Sequence, residues 1–221
     1  MPILAINTAS SFTEIALISN DFSVVSETIW QSENNEAEKL MPEIQTLLNN
    51  NSYTFKDLEK IIVVSGPGSF TGLRIGVITA NTLKYLLPVS LFSLNTFEYF
   101  WAKSKIESKK DTALLIYAGQ KGLYYSEDEQ NTKQENIVLV SNESIQSFLK
   151  NKKIKNIIGD FSKEQKELLK DFKIIEEKFS FAETIIKLLN EKKLENELEI
   201  AYPTYIKEPS ITKSKNKLFN K

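Results

Sequence analysis

The segment GPGSFTGLRIG, residues 66–76, constrains the fold more than any other part of this chain. It follows an apolar run at 61–64 and leads into 75–87, whose pattern predicts a helix. A Gly-Pro-Gly corner between a strand and a helix gathers backbone N–H groups and the positive end of a helix dipole at one point. That arrangement suits an anion or a nucleotide, and it suits a plain structural corner equally well. The possible anion or nucleotide turn comprises Gly66, Gly68 and Ser69, with Asn7 and Thr8 from the end of the first predicted strand. It has neither the Gly-Lys-Ser/Thr of a P-loop nor the spacing of a dinucleotide fingerprint. On the structural reading, Gly66 and Gly68 supply positive φ, and Ser69 or Thr71 caps the helix.

The helix that follows carries small residues Gly72, Gly76 and Ala80 at i, i+4 and i+8. Each interior glycine costs about 1 kcal/mol relative to alanine, so a stripe of them calls for a close neighbour. The other positions, including Leu73, Ile75, Val77, Ile78, Leu83, Leu86 and Leu87, are apolar around most of the circumference. This predicts burial on more than one side. One side faces a sheet; the other faces the preceding helix or another polypeptide. Arg74, near the helix start, opposes the dipole there, so an acidic partner is expected to hold it.

The chain has no cysteine and no histidine. That removes Ser-His-Asp and Cys-His catalysis, thiolate zinc sites and the HExxH metalloprotease helix. Any chemistry must rest on carboxylates, Lys, Tyr, hydroxyls or backbone groups, and a protein with no chemistry of its own fits as well. A formal net charge of −1 gives no bulk signal for nucleic acid or a membrane surface. No apolar run approaches the roughly 18 residues of a spanning helix, and residues 1–7 read as a strand rather than a leader. A cytoplasmic location is the expectation.

Along the chain, 2–7, 12–18 and 23–30 read as three short strands in a meander. A helix is predicted over 36–48, a strand at 61–64, the long helix to 87, a strand at 89–92 and a helix at 93–103. Charge concentrates at 103–111, where a boundary is placed: an N-terminal lobe at 1–103 and a reduced C-terminal lobe at 104–221. The second half repeats the theme, with strands at 112–117, 122–126, 136–140 and 154–158 and helices at 143–149, 163–171 and 179–189. The order predicts an α/β fold of mixed sheets with flanking helices. Charge is patterned despite the neutral total: 27–43 holds five Glu against one Lys, and 207–221 holds five Lys against one Glu.

Four segments together resemble one family: NTAS at 7–10, NEAEKLMPEIQTLL at 35–48, GPGSFTGLRIG at 66–76 and YPTYIKEPSITK at 202–213. It is the TsaB (YeaZ) branch of the actin-like, Hsp70-like (ASKHA) superfamily. The third motif is present in full. Elsewhere the chain departs: Asn7 where Asp is usual, Glu36 where His is common, Tyr117 where many members show Asp, and Lys207 for the usual Arg. The resemblance implies two actin-like, RNase H-like lobes, the second reduced. It implies a non-catalytic subunit that binds a TsaD-type catalytic subunit and, with a TsaE-type ATPase, supports threonylcarbamoyl transfer to a tRNA adenosine, the tRNA being engaged indirectly. A homodimer is expected when it is alone. No cofactor is implied beyond ATP or ADP at an interface of the complex, and no metal.

On this reading the partner interface comprises Glu36, Leu40, Met41, Gly72, Arg74, Ile75, Gly76, Ile78, Thr79 and Ala80, with the Gly/Ala stripe permitting close contact. Three alternatives remain at this point. An ASKHA-type small-molecule kinase needs a metal-binding Asp at the first strand end, where Asn7 stands. A peptidase has no His or Cys to work with. An RNA-binding module would use the Lys-rich tail together with Phe219.

Overall fold

In the computed structural model the described residues are 1–32, 35–104, 106, 110–118, 122–127, 137–194 and 196–206. The predicted Lys-rich tail, Lys207, and residues 105 and 107–109 of the charged run at 103–111 lie outside them.

The first half is built from β1 (Ile3–Asn7), β2 (Phe12–Ile18), β3 (Val24–Gln31), α1 (Glu36–Asn50), β4 (Lys60–Gly66), α2 (Phe70–Leu86), β5 (Ser90–Asn95) and α3 (Thr96–Lys103). The second contains β6 (Thr112–Tyr117), β7 (Gly122–Ser126), β8 (Val138–Ser141), α4 (Ile145–Asn151), β9 (Asn156–Asp160), α5 (Lys163–Leu168), β10 (Lys173–Ile174) and α6 (Phe181–Asn190). The first sheet has the order β3-β2-β1-β4-β5, the second β10-β9-β6-β7-β8. In each, three strands pair antiparallel as a meander, and the first of the three pairs parallel with a strand reached through a helix. The two sheets therefore share one topology, a repetition that the residues themselves do not display. The sequence pattern anticipated every element except β10 and a 3-10 turn at Phe55–Asp57.

Strand alternation sorts the core into layers. Ile3 and Ala5 of β1, Ile62 and Val64 of β4, and Leu114 and Ile116 of β6 share one core with Phe97, Phe100 and Trp101 of α3 and Phe181, Ile185 and Leu188 of α6. The intervening residues Leu4, Ile6, Ile61 and Val63 face α1 and α2, meeting Leu40, Ile44, Val77 and Leu83. Ala113, Leu115 and Ile157 face α4 and the segment after α5. Ser180 caps α6 in a reciprocal box with Glu183, and Ser162 does the same for α5 with Gln165. Residues 198–204 return to the first sheet. Leu198 bridges Leu91, Asn81 exchanges two hydrogen bonds with Ala201, and Thr204 N–H donates to the Ser65 carbonyl.

Two sequence expectations are corrected by the packing of α2. The Gly72–Gly76–Ala80 stripe does not face another polypeptide. A Cβ on Gly72 would lie 2.0 Å from the Thr8 carbonyl oxygen, and one on Gly76 would lie 2.2 Å from the Thr8 hydroxyl. Ala80 is fully buried in the layer beneath α1. The stripe admits this chain's own β1–β2 turn. Gly68 likewise has no positive φ; its role is contact, since a Cβ there would lie 2.1 Å from the Ala9 carbonyl oxygen. Gly66 does have positive φ, at 115°.

Gly72→Ala is expected to lower stability by about 3 kcal/mol, because the clash is with backbone that cannot step aside. Thr82→Ala, on the exposed side of the same helix, should stay within about 0.5 kcal/mol of the parent. Urea denaturation midpoints of the two variants check this.

Candidate functional site

Three features bear on function: the corner before α2, the outward face of α2, and a groove between the two sheets. At the corner, Ser69 caps α2 by accepting from Gly72 N–H at 3.2 Å, while its own N–H donates to the Ala9 carbonyl at 2.7 Å. The Thr8 hydroxyl donates to the Gly72 carbonyl at 2.7 Å. Asn7 is fully buried; its amide donates to Ser10 and Glu14, and its carbonyl accepts from Ala9 N–H. The structure thus brings Asn7, Thr8, Gly68 and Ser69 together. The donors an anion would need at Ser69 and Gly72 are engaged by the chain itself.

Arg74 lies at the exposed start of α2, and what holds it is aromatic rather than acidic. Its guanidinium carbon sits 4.0 Å from the centre of the Phe70 ring, and Nε donates to the Tyr205 hydroxyl at 3.1 Å. Cation–π contact replaces the carboxylate expected from the dipole argument. Beyond Arg74 the outward side of α2 carries Ile78, 63% exposed, Tyr85, 89%, and Leu86, 67%, with Thr82 exposed among them. Ile75 and Thr79 are half-buried beside it, and Met41 of the neighbouring α1 is also exposed. Leu40 and Glu36 are buried, so of the residues expected at a partner interface the structure leaves Met41, Arg74 and Ile78 outermost.

The groove contains residues that sequence reasoning missed. Glu14, in the middle of β2, is almost wholly buried and accepts three hydrogen bonds: from Asn7 at 2.8 Å, the Tyr99 hydroxyl at 2.6 Å and the Lys103 ammonium at 2.7 Å. Lys103, at the end of α3, is itself buried and reaches Glu177 at 2.9 Å. Ser11 on the β1–β2 turn donates its N–H to Asp160 at the end of β9, at 2.8 Å, and its hydroxyl to the same carboxylate. A cavity of about 500 Å³ lies beside these groups, bordered by β2, β3, the start of α5 and the chain around Glu177. The available signal was one charged residue, Glu14, inside the mostly apolar strand FTEIALI, and a lysine ending an aromatic helix.

Burial pulls the Lys103 amine down, but Glu14 and Glu177 together outweigh it, leaving it above its ordinary value and protonated at neutral pH. Burial pushes the Tyr99 phenol well up, with Glu14 adding to it, so Tyr99 stays a donor. The Asp160 carboxyl is raised by burial, with the Ser11 bonds offsetting part of the rise. Burial also raises Glu177 against the pull of Lys103. Tyr117, at the end of β6, is half-buried. Among the described residues no group of three or more carboxylate, His or Cys side chains is placed to hold a metal ion, and no helix is long and apolar enough to cross a membrane.

Comparison with known proteins bears on these features. The family described as "TsaD: tRNA N6-adenosine threonylcarbamoyltransferase" matches residues 25–214. The tRNA threonylcarbamoyladenosine biosynthesis protein TsaB of Bacillus subtilis is 38% identical over 105 residues, 48% of this chain and 45% of that protein. The TsaB protein of Buchnera aphidicola from Schizaphis graminum is 31% identical over 53% of this chain and 55% of its own length. These matches span about half the length of those relatives. A further Buchnera TsaB, from Baizongia pistaciae, is 25% identical over 93% of this chain and 98% of its own. A solved structure described as an uncharacterised protein with similarity to peptidase YeaZ, from Pseudomonas aeruginosa, superposes over 93% of this chain and 99% of its own. Its TM-score is 0.64 at 15% identity, and the likeness shows a shared α/β fold of two mixed sheets flanked by helices.

Two outcomes follow from the groove. Tyr99→Phe is expected to lower stability by about 2 kcal/mol, the worth of a hydrogen bond to a buried carboxylate, measured by urea denaturation. For Asp160, the folded value lies above the unfolded one. Its contribution to stability is therefore full at acid pH and is lost as pH rises through the folded value. Ser11→Ala removes a bond that lowers it, so the carboxyl should titrate higher still in a carboxyl-carbon NMR titration. A carboxyl titrating at or below the ordinary 3.8 would contradict the assignment.

Proposed function

Because the chain belongs to the TsaD family, in its TsaB/YeaZ branch, we propose that it is a non-catalytic docking subunit in tRNA threonylcarbamoyladenosine biosynthesis. Its partner on this reading is a TsaD-type catalytic subunit. A TsaE-type ATPase joins the assembly, the tRNA is held by the other components, and the isolated chain pairs with a second copy through the same face. The observation that carries the reading is the outward side of α2, where Ile78, Tyr85 and Leu86 stand exposed on a helix whose other side is packed to the backbone. Large apolar side chains grouped on one helix face mark an interaction surface.

The chemistry of the face describes the partner. Its centre is aliphatic and aromatic, and α1 beside it carries exposed Glu38 with Glu43 half-buried. A fitting surface is an apolar helix pair bordered by basic residues. Arg74, over the Phe70 ring and bonded to the Tyr205 hydroxyl, presents a cation at one end and suits a carboxylate across the interface. The groove supports the non-catalytic reading in its own way. Glu14 in β2 is satisfied by Asn7, Tyr99 and Lys103, and Asn7 at the end of β1 by Ser10, Glu14 and the Ala9 N–H, so their hydrogen-bonding capacity goes into holding the fold.

Ile78→Glu combined with Met41→Glu is expected to cut co-purification with the TsaD-type subunit of the same organism by more than about tenfold, as for a lost pair of interface anchors. Its thermal midpoint should stay within about 2 °C of the parent, since both side chains are exposed. Unchanged recovery of the partner would overturn the proposal.

A further inference from the structure

Charge is divided unevenly between the two halves of the chain. Residues 1–104 hold six Lys and Arg against ten Asp and Glu, and residues 105–221 hold 22 against 19. Such a division suggests an anionic partner for the basic half. There the fold gathers lysines from two runs at one end of the second sheet. Lys150, Lys152, Lys153 and Lys155 run from the last turn of α4 to the start of β9, and Lys170 and Lys173 run from the end of α5 into β10; all six are exposed. The parallel pairing of β9 with β10 sets the runs side by side. Lys173 N–H donates to the Lys155 carbonyl at 2.9 Å, and the Lys150 ammonium reaches Asp171 at 2.8 Å. Lys152 pairs with Glu127 and Lys155 with Asp111. Lys153, Lys170 and Lys173 make no ion pair among the described residues.

We propose that this patch, centred on Lys153, Lys155 and Lys173, binds the phosphate backbone of RNA. Six ammonium groups meet three carboxylates there, so the patch keeps a positive field on a chain whose formal total is −1. Lysine ammoniums are point charges on flexible stems, suited to a row of phosphates without regard to base sequence. A membrane surface fits less well. Anchoring there needs apolar side chains beside the charge, whereas Ile154 and Phe172 are buried and Ile174 borders the groove. The choice of RNA as the polyanion rests on the biosynthetic reading above; the patch itself does not. That reading leaves the tRNA to the other components. The patch adds a contact made by this chain, on the second sheet and apart from the outward face of α2.

The test measures binding of the full chain alone to an unmodified tRNA transcript, by fluorescence anisotropy between about 50 and 200 mM salt. Lys153→Gln, Lys155→Gln and Lys173→Gln together should weaken binding at the lower salt by at least about tenfold. They should also flatten the salt dependence by about two in log–log slope, since each lost phosphate contact removes close to one. Lys39→Gln, Lys56→Gln and Lys60→Gln, on the first half, remove the same charge and should leave affinity within about threefold of the parent. The patch side chains are exposed, so the thermal midpoint should stay within about 2 °C. Recovery of the TsaD-type subunit should be unchanged in the patch variant, which separates loss of RNA binding from loss of docking. Equal weakening by the two triple variants would reduce the effect to net charge and overturn the proposal. So would a parent that binds no tRNA, or a patch variant that keeps tRNA but loses phosphatidylserine vesicles.

Discussion

Thr8 enters the side of α2 where Gly72 and Gly76 have no side chains, and the placement of the first lobe's elements follows from that contact. The β1–β2 turn is held to the helix by the Thr8 hydroxyl bond to Gly72 and by the Ser69 N–H bond to Ala9. Because the turn is fixed there, Asn7 and Glu14 face α3, and Ser11 faces the second lobe. Because α2 lies so close to the turn, its opposite side is left in solvent with Ile78 and Tyr85 on it. Two conformationally costly glycines in a helix interior are offset by the packing they admit.

The same contact separates two kinds of surface. On one side of the first sheet the small-residue stripe is closed by the chain itself, and the outward helix face is exposed. On the other side the sheets face each other across a groove lined by charge and held by a buried lysine between two carboxylates. A buried ion pair of this kind adds little net stability, but removing one partner strands the other at a cost of several kcal/mol. It therefore favours one geometry over others more than it deepens the well. The segment 198–205 ties back over β4, β5 and α2 and completes the seat of Arg74.

Nearly all the elements were legible from apolar periodicity, since β1, β4 and β6 are short buried runs of aliphatic and β-branched residues and α1 repeats Leu40, Ile44, Leu47 and Leu48 at helical spacing. The 66–76 motif marked a corner with Ser69 or Thr71 as the cap, and Ser69 fills that place. What the pattern left open was which neighbour filled the glycine stripe. Small residues announce a close approach without saying what approaches, and the occupant, Thr8, stands 64 residues before Gly72. The groove was less legible still. Glu14, Tyr99, Lys103, Asp160 and Glu177 come from four separate segments, and only the fold brings them together. Strand β10, two exposed residues long, has too short a pattern to register.

The central claim is that α2 has an inner side consumed by its own chain and an outer side reserved for a partner. Hydrogen–deuterium exchange of the whole chain, alone and mixed with the TsaD-type subunit of the same organism, tests this most directly. The account predicts new protection confined to peptides spanning 37–45 and 74–86, with 8–14 and 158–178 unchanged. Protection gathered instead over 8–14 and 158–178, with the outward face of α2 unaltered, would contradict it and place binding in the groove.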